Sequence, residues 1–179
     1  MHREGVGMGG WSEITSTECP IARSSAVIGD RWTLVIMREL TMGNRRFDAL
    51  QAQTSASPQM LTSRLKRLET DGMLERQAYS ERPRRYEYHL TDKGEAFASV
   101  LLALRAWGET WCKEPGQGIA VHHLHKACGR EVGLSGTVCE GCGEPFTIHD
   151  VTGELSPAFA RERADRGAAA KRDGEAPAR

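Results

Sequence analysis

At 179 residues with five cysteines and a formal net charge of zero, the chain has room for one modest domain and a small appendage, and its charge total alone does not mark it as a nucleic-acid binder. It contains no run approaching the roughly 18 apolar residues that cross a bilayer and no apolar stretch of secretory type near its start, which points to a soluble, cytoplasmic protein. An odd number of cysteines, three of them towards the C-terminal end, argues for metal binding or thiol reactivity ahead of disulfides.

Residues 1–17 are rich in glycine and lack apolar periodicity, so they read as a disordered N-terminal segment. From Cys19 to Gly29, CPIARSSAVIG carries a proline in its first turn and a terminal glycine, the asymmetry of a short helix. Asp30 caps a second helix, DRWTLVIMREL, which is apolar in too many directions for one stripe and so belongs at the centre of a core. Arg46 to Gln53 form a third, short helix with Phe47 and Leu50 inward, broken by the run TSAS. Ser57 as N-cap, Pro58 at N1 and the repeat Leu61, Leu65, Leu68 predict a fourth helix that ends at Gly72.

From Leu74 the period becomes two: LERQAY and RYEYHL flank SERPR and predict a β-hairpin with an arginine-rich tip. Thr91 caps a last long helix in which Phe97, Val100, Leu104, Trp107 and Trp111 form a seam suited to a partner helix. Beyond Pro115, IAVHHLHKACG and TVCEGCGEPF read as a separate small module spanning 115–155. Residues 156–179 offer little to bury and read as a disordered tail.

The fold class is therefore mainly α with a small β-hairpin (α+β): a winged helix-turn-helix over 18–114 plus a small zinc-ribbon-like β module. In that layout the helix from Pro58 enters the major groove. With its leucines turned inward, an advance of about 100° per residue puts Gln59, Thr62, Ser63, Lys66 and Arg67 outward. Gln pairs with adenine, Ser and Thr adapt to several base edges, and Lys66 and Arg67 reach guanine or phosphate. Arg82, Arg84 and Arg85 at the hairpin tip suit phosphates or a narrow minor groove, and Arg45 and Arg46 suit the backbone. Between Arg23 and Gly94 there are thirteen Lys and Arg against nine Asp and Glu, so the zero total hides a basic segment.

The segments CPIA, VIGDRWTLVIMREL, RRFDAL, LTSRLKRLETDGMLER, YEYHLTDKG and LLALRAWGETW resemble the HxlR family of bacterial winged-helix regulators, relatives of the MarR proteins, over about Cys19 to Lys113. The resemblance implies a homodimer, held by its terminal helices and binding a pseudo-palindromic DNA operator. It also implies that Cys19 senses quinones, aldehydes or oxidants, a role that a helix N-terminus favours by stabilising a thiolate. The TSAS turn departs from the Ile-Ser pair common in that family, and an extension beyond residue 114 belongs to a subset of its members.

In the C-terminal module His125-x2-Cys128-Gly and Cys139-x2-Cys142-Gly have the spacing of two zinc knuckles, and four N/S ligands close a structural tetrahedral site. His122 and His123 are alternative ligands. Two other classes compete: a hydrolase using His149 with Asp150, for which no nucleophile is arranged, and a winged-helix protein-interaction module with a structural zinc ribbon.

Overall fold

The computed structural model describes residues 17–134 and 137–175. The disorder expected over 1–17 lies, Thr17 apart, outside the described residues. Helix α1 (Pro20–Ile28) begins behind Cys19 with Pro20 at N1. Helix α2 (Arg31–Thr41) is capped by the Asp30 carboxylate, which accepts the N–H groups of Trp32 and Thr33 at 2.8 and 3.1 Å. Helix α3 (Phe47–Thr54) ends at Ser55 in the left-handed region, and Ser57 then caps α4 (Pro58–Thr70) by accepting the Met60 N–H. The chain continues into an antiparallel hairpin of β1 (Leu74–Glu81) and β2 (Arg84–Leu90).

Helix α2 packs against α1, α3, α4 and β2, which is why its sequence is apolar all round. Ile36, Met37 and Leu40 meet Leu50, Leu61, Leu65, Leu68, Leu74 and Phe97 in one core. The leucines of α4 are at most 2 % exposed, and burying such a side chain contributes roughly 1.5–3 kcal/mol.

Two short-range expectations change here. Thr91 does cap the next helix, accepting the Gly94 N–H at 3.2 Å, but a turn at Phe97 divides that helix into α5 (Asp92–Ala96) and α6 (Ala98–Trp111). Gly94 is needed because a Cβ there would stand 2.0 Å from the Met73 carbonyl oxygen. Phe97 accordingly leaves the proposed seam: it is 8 % exposed and belongs to the core of its own chain. Val100, Leu104, Trp107 and Trp111 remain outward, at 45, 41, 57 and 73 % exposure.

The C-terminal part also departs from the sequence reading. Strands β3 (Val121–His125) and β4 (Val151–Leu155) pair antiparallel, with His125 opposite Val151. Their module does not stand apart, because its core of Val132, Cys139, Phe146 and Val151 also takes in Leu102 from α6. Arg105 of α6 adds hydrogen bonds to the carbonyls of Val121 and Gly133. A segment too small to bury its own apolar surface has borrowed the back of α6.

The tail expected to be disordered over 156–179 is, from Pro157 to Glu175, a helix, α7, that packs on α3. What holds it is polar rather than apolar, so a search for side chains to bury misses it. Arg163 places its two terminal nitrogens 2.7 Å from the two carboxylate oxygens of Glu39, a residue with no exposed surface. Arg38 and Asn44 donate to the same carboxylate. Gln53 of α3 donates to the Arg163 carbonyl at 2.9 Å, and Arg166 donates back to the Gln53 carbonyl at 3.0 Å.

Candidate nucleic-acid interface and metal centre

The outward face of α4 carries Gln59, Thr62, Ser63, Lys66, Arg67 and Thr70, all exposed, while Leu61, Leu65 and Leu68 are buried opposite. Thr62 and Thr70 direct their hydroxyls back to the carbonyls of Pro58 and Lys66, which keeps those side chains close to the helix. Arg67 is held by Asp71 at 2.8 Å, leaving Gln59, Ser63 and Lys66 as the least committed groups of this face. Arg64, which sequence reasoning passed over, ties α4 to α2 through Asp30 at 2.8 Å.

The hairpin is longer than its sequence suggests. Its strands run to Glu81 and Arg84, so Arg82 lies in the turn while Arg84 and Arg85 are the first residues of β2. Successive strand residues face opposite sides, so Arg84 and Arg85 do not share one surface. Arg84 lies over the ring of Tyr86, 5.5 Å from its centroid. Arg46 meets the middle of the hairpin: it pairs with Glu87 at 3.0 Å and lies 4.6 Å from the Tyr79 centroid. Arg45 stays exposed beside it. The Arg46 to Glu87 and Tyr79 contacts fix the hairpin relative to α3, a linkage that no local sequence pattern announces.

In the C-terminal module His125, Cys128, Cys139 and Cys142 converge, one ligand atom from each lying within 4.8 Å of the others. The two halves of the site are built alike. Gly129 donates its N–H to the His125 carbonyl at 2.7 Å and Gly143 to that of Cys139 at 2.8 Å, and both glycines have positive φ. Each turn thus presents its pair of ligands from the same side.

The spacing can be tested against a metal. A tetrahedral zinc ion with Zn–S near 2.3 Å and Zn–N near 2.0–2.1 Å requires edges of about 3.8 Å between sulfurs and about 3.5 Å from sulfur to nitrogen. Cys128 and Cys139 sulfurs are 3.7 Å apart, and His125 Nδ1 lies 3.6 and 3.3 Å from the sulfurs of Cys128 and Cys142. The donor set therefore fits a four-coordinate ion with no open position. Burial raises the Cys139 pKa, but the N–H groups of Cys142 and Gly141 and the neighbouring thiols outweigh it and bring it to about 7. His122 and His123, the alternative ligands, fall outside the cluster: His122 pairs with Glu131 at 3.0 Å, while burial and then the charge of Arg105 lower the His123 pKa.

Cys19 is exposed at the N-terminal end of α1, with no side-chain hydrogen bond into the helix. No helix among the described residues is long and apolar enough to cross a membrane.

A short helix pair joined by a tight turn, an exposed polar face on the second helix and a basic hairpin beside it define a winged helix-turn-helix protein. The chain matches the HxlR-like helix-turn-helix family over residues 27–115. It is 34% identical over 139 residues to the uncharacterized HTH-type transcriptional regulator Rv3095 of Mycobacterium tuberculosis, covering 78% of this chain and 87% of that protein. It is 36% identical over 106 residues to the HTH-type transcriptional regulator YodB of Bacillus subtilis, covering 58% and 94%. The crystal structure of PA1607, a candidate transcription factor, superposes with a TM-score of 0.62 at 32% identity, over 81% of this chain and 99% of that one. The protein belongs to the HxlR family of transcription regulators and is not an enzyme.

Proposed function

We propose that the protein is a homodimeric, cytoplasmic repressor that binds a pseudo-palindromic operator, with 18–114 as its DNA-binding and dimerisation unit and 115–155 as a zinc-stabilised module. The observation that carries the reading is the partition of α4, whose leucines are buried while Gln59, Ser63 and Lys66 stand free beside an arginine-bearing hairpin. In this reading α4 lies in the major groove, Gln59, Thr62, Ser63 and Lys66 read base edges, and Arg45, Arg46, Arg67, Arg82, Arg84 and Arg85 hold phosphates. Val100, Leu104, Trp107 and Trp111 form the dimer seam, since four large apolar side chains on one face of α6 are otherwise left in water. Two such units read half-sites about one helical turn apart.

The test is binding to DNA from the protein's own upstream region across a salt series, with sedimentation of the same samples to report the dimer. The Lys66→Ala, Arg84→Ala double variant is expected to bind at least about tenfold more weakly and, through the lost Arg84 phosphate contact, to lose about one from the salt slope. Equal binding by the variant removes this recognition surface from the account. Salt-independent association with another protein, and none with DNA, returns the fold to an interaction role.

Cys19 is the proposed point of entry for thiol-reactive inducers, because it is an exposed free thiol at the N-terminal end of α1. Diamide or a quinone is expected to release wild type from DNA and to leave Cys19→Ser bound. Release of both proteins alike rejects that role.

A further inference from the structure

Besides the α6 contacts of Leu102 and Arg105, a second route joins the metal module to the winged helix through α7. At its start, β4 pairs residue by residue with β3, and the ligand His125 sits opposite Val151. Ser156 then donates its N–H to Ala120 at 2.9 Å and accepts the Phe159 N–H at 3.2 Å, so the helix starts directly from the metal module. Less than two turns further along, the Arg163 fork closes on Glu39, and Arg163 and Arg166 together bracket Gln53. Gln53 is the penultimate residue of α3, and the residues that follow it turn the chain into α4. A change in the order of β4 therefore reaches the turn between the two DNA-reading helices through one rigid helix.

We propose that α7 is a brace through which the His125, Cys128, Cys139 and Cys142 centre controls the posture of the α3 and α4 pair. Metal in the centre keeps β4 and α7 docked, and its loss frees α7 and weakens operator binding. The proposal rests on the DNA-binding reading above and assigns regulation to it. While α7 is docked the Glu39 carboxylate has no exposed surface, so water reaches it only when Arg163 and its helix come away. The brace accordingly has two states, docked and released, and not a continuum, which is the property a coupling element needs.

The experiment measures hydrogen exchange over residues 157–172 and operator affinity on the full chain, loaded with zinc(II) alone or stripped with a chelator. Stripping is expected to raise exchange in α7 at least tenfold and to weaken operator binding about tenfold, within the range typical of coupled sites. Arg163→Ala leaves Glu39 short of a partner and risks the fold, so the deciding variant is Glu39→Gln with Arg163→Gln, which keeps hydrogen-bonding groups and removes the charge pair. That variant is expected to retain metal, to bind the operator about tenfold more weakly and to show no further weakening on stripping. Wild-type operator affinity in the double variant overturns the brace, as does unchanged α7 protection after stripping. Absence of DNA binding by the wild type in both metal states rejects the underlying reading, and the exchange measurement separates that result from a failure of the link between the centre and α7.

Discussion

Replacing Cys139 by serine is expected to abolish metal retention and to unfold residues 121–155, leaving the α1 to α6 core folded. Cys139 has the largest effect because it has two roles in one position: it is a fully buried member of the Cys and His cluster that could hold a metal, and it belongs to the module's apolar core with Val132, Phe146 and Val151. A hydroxyl is a poor ligand for zinc and leaves an unsatisfied polar group in that core. The apparent binding free energy of structural zinc in small modules is about 10–16 kcal/mol at neutral pH, far more than so small a core supplies. Metal content by mass spectrometry and amide exchange across β3 and β4 are the measurements. A serine variant that keeps both its metal and its exchange protection would show that the centre is not structural.

Glu39→Ala is expected to cost about 3–5 kcal/mol, the range found when one partner of a buried ion pair is removed. It leaves Arg38 and Arg163 facing a cavity, with Asn44 deprived of its acceptor. Thermal melting should drop by roughly 10 °C at about 2–4 °C per kcal/mol. Acid acts on the same group. Burial pushes the Glu39 pKa up, but hydrogen bonds and charge from Arg163 and Arg38 outweigh it, so the folded value lies below the ordinary one, while Arg163 is raised in concert. The stabilisation is then complete above the unfolded glutamate value of about 4.3 and is lost as pH falls through the lower folded value. The protection of α7 from exchange, taken against the intrinsic amide rate at each pH from 6 to 3, should fall in the wild type over that window and stay level in Glu39→Gln, already lowered at pH 6. A wild-type profile flat to pH 3 would place the hold on α7 elsewhere.

Local rules made most of the winged helix legible. Asp30 and Ser57 cap where their positions predict, and the spacing of Leu61, Leu65 and Leu68 separates a buried from an exposed face of α4. The convergence of His125, Cys128, Cys139 and Cys142 was legible because each pair lies within one short turn ending in glycine. What the sequence hid is long-range. Phe97 matches the spacing of the seam, but the break between α5 and α6 turns it to the core. The hairpin strands extend into SERPR because Glu81 and Arg84 pair across the turn. Leu102 reads as one more apolar residue of α6 and gives no sign that it belongs to a second core. Glu39 in an apolar helix and Arg163 in a polar one signal nothing until they are seen together, since the signal is their pairing and neither composition contains it.

Arg163 and Glu39 are 124 residues apart in the chain, a separation that bears on the order of assembly. Contacts between distant residues form late, after the local helices and the hairpin have collapsed. During synthesis the winged helix leaves the ribosome well before α7, so a nascent chain passes through a stage in which the buried carboxylate is held by Arg38 and Asn44 alone. A segment translated long after Glu39 is thus the one that completes the charge balance of the winged-helix core, and that core is not finished until α7 has docked.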